Sequence, residues 1–219
     1  MKNLVVRSML ALLTLLGTLG LSLNAAAQNA QAGEKKAAMC IGCHGIPNYK
    51  ASFPEIYQVP MIAGQNAKYL ASALAQYKKG DRKHPTMRAI ATSLSDQDMA
   101  DLAEFYATEA KSDPAPALAA PVPANVAALL AKGNCASCHG ANFSTPIDPT
   151  YPKLAGQHAD YLAAALREYQ VDNNKLVGRN NAIMMGMARQ YTHAELKVLA
   201  KYFASLPGEV KTVPQSRFR

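Results

Sequence analysis

A five-residue pattern, Cys-x-x-Cys-His, occurs twice in this chain and uses all of its cysteines: Cys40-Ile-Gly-Cys43-His44 and Cys135-Ala-Ser-Cys138-His139, each followed by glycine. On a helical turn, thiols at i and i+3 point the same way and the next residue lies on the same side. Each copy therefore presents two thiols and one imidazole to a single object. Disulfides, a redox dithiol or half of a zinc site are the competing uses of a Cys-x-x-Cys pair. Zinc needs four ligands in a compact arrangement, and a thioredoxin-like dithiol wants a strand before it. None of these explains a histidine after both pairs. Covalent haem does, because the thiols add to its two vinyl groups while the imidazole takes the iron. Each copy is thus read as an attachment site for one c-type haem. Cys40, Cys43, Cys135 and Cys138 are the thioether positions, and His44 and His139 are the iron ligands.

The repeat extends well beyond the cysteines. Pro60-Met-Ile-Ala-Gly64-Gln65 matches Pro152-Lys-Leu-Ala-Gly156-Gln157, and Tyr69-Leu70, Leu74 and Tyr77 match Tyr161-Leu162, Leu166 and Tyr169. Leu102-Ala103 and Phe105-Tyr106 match Leu199-Ala200 and Tyr202-Phe203. One duplicated domain accounts for this better than a solenoid, which needs more and shorter repeats. Each half predicts three helices: one running into the Cys-x-x-Cys-His, one after the Gly-Gln pair with an apolar face, and one opened by a capping box. Ser95-x-x-Asp98 and Thr192-x-x-Glu195 supply those boxes. No stretch alternates as a sustained strand, so the expected fold class is all-α. Residues 111–125 hold Pro114, Pro116, Pro121 and Pro123 among alanines. Such a segment cannot continue a helix and reads as an extended linker. The expected division is a signal at 1–27, domains at 28–110 and 126–208, and a tail at 209–219.

Residues 1–27 read as a secretory signal: Lys2 and Arg7, an uncharged apolar run over 9–23, then Ala25-Ala26-Ala27 as the cleavage site. The run is short for a membrane span. Removing the segment lowers the formal charge of +8 by the two charges of Lys2 and Arg7. The remaining excess is modest, Trp is absent and there is no basic run, so nucleic acid is not an expected partner. No later segment is long and apolar enough to cross a bilayer, which leaves a soluble or peripherally bound protein.

A low-spin haem needs a second axial ligand, and a neutral thioether favours ferrous iron. Position singles out two methionines. Met87 stands eight residues before Ser95, and Met184 stands eight residues before Thr192. Met185 and Met187 remain rivals of Met184. Met39, Met61 and Met99 read as packing residues. His84, His158 and His193 have Asn181, Asn66 and Asp96 at the matching repeat positions, so none is a paired ligand candidate.

With these features together, the chain resembles the dihaem cytochrome c4 family over essentially its whole length after the signal. The stretches Tyr-Pro-Lys-Leu-Ala-Gly-Gln (151–157) and Leu-Ser-Asp-Gln-Asp-Met-Ala-Asp-Leu-Ala (94–103) carry the resemblance most strongly. The segment after His44 departs from it in lacking a glycine-rich run. The resemblance implies two tandem cytochrome c-like domains, each a small helical fold wrapped around one covalently bound haem with His/Met ligation, in the bacterial periplasm. It implies that the carbonyls of Pro60 and Pro152 accept hydrogen bonds from the rings of His44 and His139. It also implies redox partners at the membrane: a cytochrome bc1-type donor and a terminal oxidase as acceptor. The same two-domain unit resembles the haem subunits of periplasmic dehydrogenases, such as sulfide-oxidising flavocytochromes. An enzyme in its own right is the least favoured expectation, since neither repeat holds an acid pair, a nucleophile or a further metal cluster.

Overall fold

The computed structural model describes residues 28–110, 114–116 and 121–214. The signal-like segment 1–27, part of the proline-rich linker and the last residues of the expected tail lie outside the described residues. Among the described residues there are ten helices, five per half and in the same order. The first half holds α1 (Ala30–Lys36), α2 (Ala38–His44), α3 (Ala67–Lys79), α4 (Pro85–Thr92) and α5 (Asp96–Glu109). The second holds α6 (Ala124–Gly133), α7 (Ala136–His139), α8 (Ala159–Glu168), α9 (Ala182–Ala188) and α10 (His193–Ser205). Two-residue strands β1 (Lys50–Ala51) and β2 (Tyr57–Gln58) pair antiparallel in the first half's long loop. The α6 helix starts two residues inside the expected linker, at Ala124.

Local chemistry explains the helix boundaries. Both capping boxes form: Ser95 and Asp98 close the start of α5, and Thr192 and Glu195 that of α10, each satisfying two otherwise orphaned N–H groups. The α3 helix stops at Gly80, whose φ of +91° is open to glycine and strained for other residues. The first helix of each half crosses the last. Helix α1 lies on α5 so closely that a methyl group on Gly33 would overlap the Asp101 carbonyl. Leu70, Met99, Leu102, Phe105 and Tyr106 build the first core. Leu162, Leu196, Leu199, Phe203 and Phe143 build the second. Met99 is a packing residue, as expected, at 4% exposed. Met39 is not: its side chain is 56% exposed, because it sits on the outer face of α2.

The two halves dock through reciprocal contacts. Lys83 N–H donates to the Gly178 carbonyl (3.0 Å) and Asn180 N–H to the Asp81 carbonyl (2.6 Å), making an antiparallel bridge centred on Arg82 and Arg179. The segment from Glu209 onward crosses back to the first half. Lys211 N–H donates to Ala63 O (2.9 Å), and Val213 packs on the first core. Glu209 pairs with Lys153 and accepts from Ala115 N–H of the linker (3.0 Å).

Candidate functional site

Both Cys-x-x-Cys-His copies are helical, as the spacing predicts. In the first, α2 carries Cys40, Cys43 and His44. In the second, Cys135 caps the short α7, which carries Cys138 and His139. None of the four cysteines is in a disulfide. Burial pushes the Cys40 thiol up to about 11 and raises Cys135 as well. A redox dithiol works as a low-pKa thiolate, the opposite of what burial does to Cys40 and Cys135.

The His44 Nδ1–H donates to Pro60 O (2.9 Å), and the His139 Nδ1–H to Pro152 O (3.0 Å). Both bonds are those the resemblance implies. Since a carbonyl only accepts, the proton lies on Nδ1 and Nε2 keeps its lone pair for a metal. Burial lowers the pKa of both imidazoles, against a smaller raising effect of the proline carbonyls. Each ring is therefore held neutral, the form that ligates.

Facing these groups is a continuous cavity of about 480 Å³ that runs from one half to the other. Cys40, His44 and Met87 line its first end; Cys135, Cys138, His139 and Met184 line the second. Leu70, Leu74, Leu102, Leu162, Leu166 and Leu199 line it as well. Cys43 is half-buried on the same helix but outside the lining. An apolar slot lined by thiols, a neutral imidazole and a thioether at each end suits haem, whose macrocycle would replace the missing core of each half.

Met87 and Met184 occupy equivalent places. Each is the third residue of a short helix, α4 or α9, that the sequence did not reveal. His84 Nδ1 accepts from Met87 N–H (3.4 Å), and Asn181 Oδ1 accepts from Met184 N–H (3.0 Å). The two residues that matched in the repeat, His84 and Asn181, are thus the N-caps of these helices. Met187 also lines the cavity and Met185 does not. Met61, expected as packing, lines the cavity too.

Two arginines went unread in the sequence. Arg82 and Arg179 are 5% and 7% exposed and line the middle of the cavity. Arg82 lies over the rings of Tyr69 and Tyr77, and Arg179 over those of Tyr161 and Tyr169. Each stands five residues before its half's methionine, a spacing that was available as a signal.

Residues 30–108 and 123–207 each match the family model described as cytochrome c. A cytochrome c4 of Azotobacter vinelandii is 31% identical over 214 residues, covering 90% of this chain and 98% of that protein. The chain belongs to the dihaem cytochrome c4 family. Another relative, a thiosulfate dehydrogenase electron acceptor of Stutzerimonas stutzeri, is 32% identical, covering 80% of this chain and 83% of that protein. The crystal structure of reduced recombinant cytochrome c4 from Pseudomonas stutzeri superposes with a TM-score of 0.60 at 28% identity, covering 82% of this chain and all of that one. As a cytochrome c4 family member the chain carries two haem c groups and transfers electrons with redox partner proteins. Among the described residues, no helix is long and apolar enough to cross a membrane.

Proposed function

We propose that this protein is a periplasmic electron carrier in which Cys40 and Cys43 hold one haem with His44 and Met87 on its iron, and Cys135 and Cys138 hold the other with His139 and Met184. It takes electrons from a cytochrome bc1-type donor and delivers them to a terminal oxidase. The observation that carries this reading is that each Nδ1-protonated histidine, and a methionine at the third position of an equivalently capped helix in the same half, line one cavity. A histidine and a methionine for each haem would leave its iron no open position for substrate, so the haem would supply one-electron chemistry alone. The capped helices fix the methionine backbones, so oxidation and reduction need little rearrangement.

A second reading has one observation in its favour: relatives named as electron acceptors of thiosulfate dehydrogenase match over most of the chain. In that reading the donor is a sulfur-oxidising dehydrogenase and the haem chemistry is the same. Reduction by isolated bc1-type complex against reduction by such a dehydrogenase separates the two.

The ligand assignment is tested spectroscopically. The oxidised protein is expected to show the weak near-infrared-edge band of an Fe(III)–S bond with an intensity fitting two sites, and the reduced protein to bind carbon monoxide poorly. Met87→Ala and Met184→Ala are each expected to remove half the band and open one iron, while Met187→Ala leaves it intact. Loss of half the band in Met187→Ala would move the second ligand to that residue. Ready carbon monoxide binding by the wild type would sink the carrier reading.

A further inference from the structure

We propose that Gln65 and Gln157 are reciprocal positioning residues: each holds, from its own domain, the peptide group that orients the axial histidine of the other domain. The proposal rests on His44 and His139 being the iron ligands. The bond from His44 Nδ1–H ends on the carbonyl of the Pro60–Met61 peptide (2.9 Å). The N–H of that same peptide, on Met61, donates to Gln157 Oε1 (3.0 Å), in the opposite half. Gln157 Nε2–H then donates to Met61 O (2.8 Å). The mirror arrangement is complete. His139 Nδ1–H donates to the carbonyl of the Pro152–Lys153 peptide (3.0 Å), Lys153 N–H donates to Gln65 Oε1 (2.9 Å), and Gln65 Nε2–H donates to Lys153 O (3.0 Å).

Both glutamines are 4% exposed, so these bonds form away from water. Their orientation is fixed as well. Gln157 Oε1 also accepts from His158 N–H, and Gln65 Oε1 from Asn66 N–H, both at 3.0 Å. Turning either amide over would set its N–H₂ group against two N–H donors. Each oxygen therefore faces the other domain's peptide.

A peptide whose N–H is engaged is polarised, and its carbonyl becomes a stronger acceptor. A stronger acceptor draws the histidine proton away, makes the ring a better donor to iron and favours the ferric state. Domain docking thus enters the properties of both irons through one amide each. The dependence is crossed: a change in the second domain reaches the first iron, and the reverse. A glutamine that merely glued the domains together would have no reason to act across in this way.

The test uses the full-length dihaem protein with residue-resolved NMR and potentiometry of each haem. Iron-shifted ring protons of His44 and His139 in the wild type establish the ligands first; their absence would defeat the ligand reading and this proposal with it. Gln157→Leu is then expected to move the His44 Nδ1–H resonance. It should shift the ferric/ferrous ratio of the N-terminal haem at fixed potential about threefold toward ferrous (~28 mV at 59 mV per tenfold for one electron). The C-terminal haem, unchanged, serves as the folding control in the same molecule. Gln65→Leu is expected to do the reverse. Gln157→Glu keeps an acceptor for both N–H groups and is expected to retain the His44 resonance. A shift in each variant's own haem, equal shifts in both, no shift, or a Glu variant that loses the resonance as the Leu variant does would overturn the proposal.

Discussion

Arg82 and Arg179 sit at matched positions but have unmatched partners. Arg82 Nε–H donates to Gln76 Oε1 (3.0 Å), while Arg179 Nε–H donates to Glu168 Oε2 (2.7 Å). Their Nη2 groups reach the equivalent hydroxyls of Tyr69 (3.2 Å) and Tyr161 (3.4 Å). A neutral amide thus stands in one half where a carboxylate stands in the other. Buried guanidinium groups need compensation. The side chains bonded to this pair supply one negative charge for two arginines. A net positive seam favours the ferrous state of both irons. Glu168→Gln is therefore expected to raise the reduction potentials and Gln76→Glu to lower them. The size should be tens of millivolts, as one charge at about 10 Å gives in an effective dielectric of about 20–40. Spectroelectrochemical titration of the two variants reads this directly, and shifts of the opposite sign would contradict it.

Helices α4 and α9 show how an element is made by its ends. They have eight and seven residues, too short to persist alone. Caps at His84 and Asn181, with Pro85 in the first turn of α4, start them at a defined residue and so place Met87 and Met184. The crossing of α1 on α5 joins close packing at Gly33 with a charge cluster. Lys36 Nζ binds Asp98 and Asp101, each at 2.7 Å, and Asp101 also accepts from Asn29 N–H (3.0 Å) and Gln97 (2.7 Å). The Lys36 bond is the first cause that holds the Asp101 carboxyl below its ordinary value, with Gln97 and Asn29 adding to it. A depressed folded pKa stabilises above the unfolded value, about 3.9, and that stability is lost as pH falls through the folded one. The N-terminal domain is accordingly expected to lose thermal stability as the pH falls below about 4, and Asp101→Asn to flatten that dependence. Calorimetry across that range checks it; an unchanged slope in the variant would assign the acid sensitivity elsewhere.

Across the whole molecule, the segment after Gly208 ties the domains together. A sequence reading makes it a tail, because nothing in its composition says where it lies. Folded, it carries Val210 into a buried position, bridges Lys211 to Ala63, and sets Glu209 against Lys153, the residue whose N–H the Gln65 amide holds. Gly64 is left-handed (φ +80°) and a Cβ there would press on the Glu209 carbonyl at 2.5 Å, so the strap requires glycine at this turn. Truncation after Gly208 gives up about 1.5–3 kcal/mol from Val210 alone. The truncated protein is expected to unfold in two denaturant transitions where the full chain shows closer coupling. A single unshifted transition would show that the bridge at Arg82 and Arg179 and the paired glutamines suffice.

The doubled Cys-x-x-Cys-His, the matched methionine spacing and the capping boxes were all legible in the sequence. Each depends on residues close in the chain, where covalent geometry and helix period settle which side chains share a face. Those signals carried the all-α fold, the two haem groups and the candidate residues on both sides of each iron. The crossed glutamines and the returning C-terminal segment were not legible, and the arginine spacing, though present in the sequence, did not say what the arginines meet. The glutamines meet partners 88 and 96 residues away, and the returning segment bridges Lys211 to Ala63, contacts made only when the two halves dock. Gln65 and Gln157 make the point most sharply. As letters they are one half of a Gly-Gln repeat. Only the tertiary structure turns each toward the other domain, because a buried amide must spend both its donor and its acceptor, and the nearest free peptide belongs to the histidine loop opposite.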